Sequence, residues 1–288
     1  MFSFPTSGAA ATASGTRPAD RLAARVWPLA LLQNKPPSYV LLSRPPASGN
    51  HWVFVLVPPP FDPATFDTTL DLLGERVGLV VYQPPAASRT VEAHLDDLTA
   101  LVSASGAARV SLVAPGVSAA LALHAATSLG ASLHRIVLVS PSFPRSVGVP
   151  MGLPSSLMGA VAAHPSAMRI TSRHEIFARA PALGRVLAKL GVQVPHMPAD
   201  ATPLPGTAQE GAFLADAVSR AKAPALERIE QAVLVVTGAK DAAFPPASAR
   251  ALVRRLPRGE HVLVAGGSQF LAREYPDLLA VRIEAFLT

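Results

Sequence analysis

The amino-acid sequence predicts an α/β fold, a doubly wound and mostly parallel sheet with a helical cap inserted late in the chain. Three observations carry that expectation. Short β-branched runs alternate with longer Ala/Leu/Arg segments along most of the chain. The runs are continuously apolar, as suits strands buried on both faces of a parallel sheet. Half of the 288 residues are hydrophobic, enough to build the core of one large domain or two modest ones.

Each element follows from its residues. Tyr39-Val40-Leu41-Leu42, Trp52 to Val57 and Leu79 to Tyr82 read as the first three strands. Val91 to Val102 reads as a helix, because Val91, Leu95, Leu98, Leu101 and Val102 recur at helical spacing while Glu92, Asp96 and Asp97 fall elsewhere. Val110 to Val113 is the next strand, and Val117 to Ser128 the helix after it. Ile136 to Val139, Val233 to Val236 and His261 to Val264 complete the strands. Ser248 to Leu256 is helical, and Glu274 to Leu287 closes the chain with Leu278, Leu279, Ile283 and Phe286 turned inward. Strands alternating with helices imply the doubly wound architecture.

The alternation lapses between about Pro141 and Arg228, where prolines and two helical patterns (176–190 and 212–221) replace strands. An insertion there sits over the carboxyl ends of the strands, where ligands bind in open α/β sheets. The expected organisation is an N-terminal extension over 1–35, a core formed by 36–140 and 226–288, and a helical cap over 141–225.

Composition removes several classes. Cysteine is absent, which excludes a disulfide framework, a thiolate zinc site and a cysteine nucleophile. The 29 prolines, about twice the average usage, cluster at turns such as Pro58-Pro59-Pro60 and Pro84-Pro85. Val110–His134 and Ser146–Met168 lack Asp, Glu, Lys and Arg. Proline and serine interrupt both stretches, so no transmembrane segment is expected. The first 16 residues hold no basic start and no long apolar run, which argues against a secretory signal. A cytoplasmic location is expected, with organelle targeting by this Ser- and Ala-rich, acid-poor segment as the alternative.

The stretch Leu112-Val113-Ala114-Pro115-Gly116-Val117-Ser118-Ala119-Ala120-Leu121-Ala122-Leu123 reads as a strand, a sharp turn and a helix. Two loops follow later strands: Val235-Val236-Thr237-Gly238-Ala239-Lys240-Asp241 with Phe244-Pro245-Pro246, and Gly266-Gly267-Ser268-Gln269-Phe270. These segments resemble the strand–elbow–helix, acid loop and histidine loop of the α/β-hydrolase family. The resemblance covers about residues 36–140 and 226–288 and does not extend to the cap.

Hydrolysis in that family needs a serine on a strained turn, a histidine base, an acid that orients it, and backbone N–H donors for the oxyanion. Position by position, the resemblance implies a degenerate set. The elbow motif falls on Ala114-Pro115-Gly116-Val117-Ser118, which puts Gly116, with no side chain, at the nucleophile position. The histidine position falls on Gln269, whose amide takes no proton near neutral pH. In the oxyanion loop Pro59, Pro60 and Phe61 stand where a free N–H is wanted, and proline has none to give. One lost donor of this kind costs about 10²–10³ in rate.

Only Asp241 keeps the family's residue type, and two roles are open to it. It either orients a base or accepts backbone N–H bonds and holds its own loop. A second register, Gly116-Val117-Ser118-Ala119-Ala120, makes Ser118 the nucleophile but places Pro115 in the end of the strand.

The 25 Lys and Arg against 19 Asp and Glu leave a net charge of +6. Most of the excess lies between Pro141 and Ala199, where Arg145, Arg169, Arg173, Arg179, Arg185 and Lys189 meet a single acid, Glu175. Such a face attracts an acidic protein partner or a small anionic ligand, or is merely solvated. No aromatic interleaving or Lys/Arg run accompanies it, so nucleic acid is not an expected partner. His164, His174 and His196 lie in the same segment without metal-ligand spacing, and neither a metal nor a cofactor is expected.

The resemblance therefore implies a non-catalytic α/β-hydrolase-like protein. Its role would be that of a scaffold or assembly subunit, with oligomerisation open, or of a binder of a small apolar or anionic molecule in the vacated pocket. The alternative is an enzyme of altered chemistry: a lyase, cyclase or isomerase using Asp241, or a serine hydrolase using Ser118.

Overall fold

The computed structural model describes residues 40–44, 46, 49–58, 66–73, 77–83, 89–143, 147–149, 207–241 and 244–287. Seven strands form one sheet: β1 (Val40–Arg44), β2 (His51–Leu56), β3 (Gly78–Tyr82), β4 (Arg109–Pro115), β5 (Leu133–Val139), β6 (Ala232–Gly238) and β7 (Gly259–Val264). Their order is β1-β3-β2-β4-β5-β6-β7. All neighbours are parallel except β1, which runs antiparallel to β3 at one edge. The doubly wound, mostly parallel sheet expected from the apolar runs is thus present.

Successive side chains of a strand point to opposite faces, and each face of this sheet builds its own core. On one face Phe54, Leu56, Leu112, Ile136, Leu138, Val233 and Val235 pack beneath helices α2 (Val91–Ser105), α3 (Ser118–Leu129), α4 (Thr207–Arg220) and α5 (Pro246–Val253). On the other, Val53, Val55, Val113, Val137, Leu234 and Val236 meet α1 (Asp67–Leu72), α6 (Leu271–Glu274) and α7 (Pro276–Leu287). A fully buried Val or Leu contributes about 1.5–3 kcal/mol, so the two cores hold the carboxyl ends of the strands in fixed register.

The helices depart from the sequence pattern in four places. The short helix α1 was not expected, because two turns give too few residues for a helical period to show. In α2 the buried face includes His94 and Asp97, although the spacing assigned Asp97 elsewhere. Arg89 explains the difference, since it ion-pairs with Asp97 and makes its burial tolerable. In the C-terminal region the chain breaks at Tyr275 into α6 and α7. There Leu279, Ile283 and Leu287 lie one turn apart and go inward, while Leu278 is 39% exposed. Finally, α4 lies within the segment expected to form the cap, yet its Leu214, Ala217 and Val218 join the core beside α2 and α3.

The helical pattern at 176–190 and the extension over 1–35 lie outside the described residues. Among the described residues no helix is long and apolar enough to cross a membrane.

Candidate functional site

The candidate site stands at the carboxyl ends of β4, β5, β6 and β7. Strand β4 ends at Pro115, and α3 begins at Ser118, so the chain must reverse within Gly116-Val117. Gly116 takes φ +54 to do so. A glycine adopts that left-handed backbone without the Cβ clash that any other residue meets. Its N–H donates to the Val139 carbonyl at 3.1 Å, and its own carbonyl accepts from Ser142 N–H at 2.9 Å and Ala119 N–H at 3.2 Å. The turn is therefore pinned to the end of β5 on one side and to the first turn of α3 on the other.

Ser118 is the first residue of α3 and is fully buried. Its hydroxyl finds no hydrogen-bond partner. This buried serine in a helical first turn has its side chain inside the protein and not on the exposed turn.

Asp241 follows β6 and is 3% exposed. Its Oδ1 accepts from Phe244 N–H at 2.8 Å, closing a side-chain-to-backbone turn. The loop carrying it is clasped to the loop carrying Gln269. Lys240 N–H donates to the Gly267 carbonyl at 2.8 Å, and Ala239 N–H to that of Val264 at 3.0 Å. The approach is so close that a Cβ on Gly238 would lie 2.2 Å from the Gly267 carbonyl oxygen. Gln269 itself is half-buried at the top of this loop.

Four groups that the sequence pattern did not single out shape the region. Ser140, just past β5, has φ +41 and is the one non-glycine with positive φ among the described residues. Its N–H donates to the Val236 carbonyl at 2.8 Å, tying β5 to β6, and its buried hydroxyl has no partner. Strain of this sort persists only where the surroundings enforce it. The serine–proline pair at a strand end is the only sequence signal for it.

Glu274 of α6 receives both the Ser268 N–H and its hydroxyl at 2.7 Å, stapling the Gln269 loop from below. Phe143 and Phe244 meet edge to face, with ring centroids 5.6 Å apart. His94, at the start of α2, is fully buried with neither ring nitrogen partnered. Burial pushes its imidazole down to about 4, with help from Arg89 and opposition from Asp97.

The structure thus brings the loops of Gly116, Asp241 and Gln269 to one end of the sheet through a chain of backbone hydrogen bonds. Pro59, Pro60 and Phe61 lie outside the described residues, as do Arg145, Arg169, Arg173, Arg179, Arg185 and Lys189. Among the described residues no three His, Asp or Glu side chains gather as a metal site would require.

Comparison with solved structures places this architecture among the α/β-hydrolases. An esterase from Exiguobacterium antarcticum superposes with a TM-score of 0.63 at 15% identity, covering 85% of this chain and 94% of that one. The enol-lactonase from Burkholderia xenovorans LB400 gives 0.62 at 20% identity, with 85% and 94% covered. A thermophilic esterase from Thermogutta terrifontis gives 0.59 at 17%, with 85% and 92% covered. At such identities the likeness is one of fold, and the chain has the α/β-hydrolase fold. No family model matches the chain, and no curated protein does.

Proposed function

We propose that this chain is a non-hydrolytic member of its fold class, which binds a small molecule or another subunit at the carboxyl ends of its strands. The reading rests on Gly116. It occupies the sharp turn between β4 and α3 at φ +54, where the chemistry of acyl transfer places a nucleophilic side chain on a strand-to-helix turn. A glycine keeps the turn and supplies nothing that attacks.

Two further observations support it. Gln269 stands on the loop clasped against Asp241's, and a neutral amide is no general base. Ser118, the other nucleophile candidate, is buried in the first turn of α3, away from the exposed part of the turn. Asp241 serves its own loop by accepting from Phe244 N–H.

A fluorophosphonate probe tests the proposal directly. The full chain is expected to remain unlabelled under conditions that label an active esterase to completion. Labelling that disappears in Ser118→Ala overturns the proposal in favour of a serine hydrolase.

A further inference from the structure

We infer that the opposite end of the sheet carries a binding site for a small phosphorylated anion, formed by Arg135, Arg258 and Arg282. A cavity of about 320 Å³ opens there between the first residues of β5, β6 and β7 and the last turns of α7. Its size suits a metabolite-sized ligand. This site is independent of the carboxyl-end reading, since the strands are parallel and their starts lie at the other edge of the sheet.

The placement follows from strand register. Arg135 lies beside Ala232, and Leu234 beside Glu260, so these side chains share one face. Arg258 stands just before β7, and Arg282 projects from α7. The Arg135 guanidinium lies over the Phe286 ring, 5.4 Å from its centroid. That contact orients the group without neutralising it. Leu234, Val262 and Phe286 supply an apolar floor for the carbon part of a ligand.

The cavity gathers three arginines against one carboxylate. Three arginines among the described residues pair with carboxylates: Arg89 with Asp97, Arg220 with Asp216, Arg255 with Glu227. Arg135, Arg258 and Arg282 have no such ion pair among the described residues, and Glu260 is the one carboxylate lining the cavity. Arg109 stands close by and bonds the His134 ring. The same positive field reaches two neighbouring histidines. His134 is lowered by burial and then by Arg109, Arg135 and Arg258, and His51 by burial and then by Arg109, His134 and Arg135.

A guanidinium stays charged at any physiological pH, so the three groups together favour an anion held among them. A phosphoryl group offers three acceptor oxygens and close to two negative charges. It therefore answers three guanidinium forks better than a single carboxylate does. Glu260 leaves an acceptor for a hydroxyl or amine on the same ligand.

Isothermal titration of the full chain with inorganic pyrophosphate, at constant ionic strength, tests the inference. Saturable one-to-one binding is expected. It should weaken about tenfold or more in Arg135→Gln and in Arg282→Gln, and stay unchanged in Arg220→Gln, whose guanidinium pairs with Asp216 in α4. Arg282 is exposed on α7, so its variant retains the fold, which far-ultraviolet circular dichroism checks. Absence of saturable binding overturns the inference, as does equal weakening in Arg220→Gln. Binding of citrate as tight as that of pyrophosphate overturns the assignment to a phosphoryl group.

Discussion

The two ends of this sheet are built on opposite terms. At the carboxyl end the loops after β4, β5, β6 and β7 are joined by backbone hydrogen bonds: Gly116 to Val139, Ser140 to Val236, Lys240 to Gly267. The side chains there are small, buried or bound to their own loop. At the amino end β4 and β5 pair through a register shift between Val110 and Ser111, and three arginines line one cavity with a single carboxylate, Glu260. A frame held largely by main-chain bonds depends little on its side chains, except where a glycine permits the turn or the close approach, as at Gly116 and Gly238. Such a frame accommodates the glycine at position 116 and the amide at position 269. The amino end has the reverse dependence, because single substitutions there remove the site and leave the frame.

Three measurements break or sharpen that contrast. The largest effect belongs to Gly238→Ala. Its new Cβ would sit 2.2 Å from the Gly267 carbonyl oxygen, and the clasp between the Asp241 and Gln269 loops has to part. A loss of about 3 kcal/mol or more is expected in denaturant unfolding. A loss below about 1 kcal/mol would mean that the clasp does not hold the carboxyl end together.

Next comes acid. His94, in the helix that follows β3, and His51, at the start of β2, are both held down at about 4, below the ordinary 6.5. Between those values the unfolded chain binds more protons than the folded one, so stability present above pH 6.5 is lost as pH falls toward 4. For fully buried His94 the loss is on the order of 3 kcal/mol. It is read from the denaturant midpoint against pH, and His94→Leu should flatten the curve. Salt separates the two ends. Burial comes first for both, but His51 is then lowered by Arg109, His134 and Arg135 and should rise as ionic strength screens them. In His94 Arg89 lowers and Asp97 raises, so screening should move it less. Equal movement in ring-proton titrations followed by NMR would erase the distinction.

The smallest effect is expected of Arg282→Gln. The side chain is exposed and makes no ion pair among the described residues, so stability should change by less than about 0.5 kcal/mol even as anion binding falls. A stability change well beyond that would show the arginine to be part of the frame.

Legibility in the sequence followed the same division. The strands could be placed from their apolar runs, and in β2 to β6 burial on both faces leaves a continuous signature, whereas β7 at the edge is mostly part-exposed. The runs began late, however. β4 starts at Arg109 and β5 at Leu133, with His134 and Arg135 inside the paired region. Polar residues at a strand start interrupt an apolar pattern, so Arg135 did not show as a strand residue, while Arg258 and Arg282 lie outside the strands. His94 and Asp97 were missed on α2 for a related reason. An acid on the buried face is tolerable only because Arg89 reaches it, and that contact depends on how the helix meets the sheet.

The sequence by itself determined the alternation of strands and helices, the absence of a side chain at position 116 and the amide at position 269. Period and residue type are local properties that need no partner. Only the tertiary structure decided that Gly116 turns at φ +54 against Val139, that Asp241 is engaged by Phe244 N–H, and that Arg135, Arg258 and Arg282 share one cavity. Each of these depends on the register of parallel strands distant in the chain, and register is set by which faces of the sheet are buried.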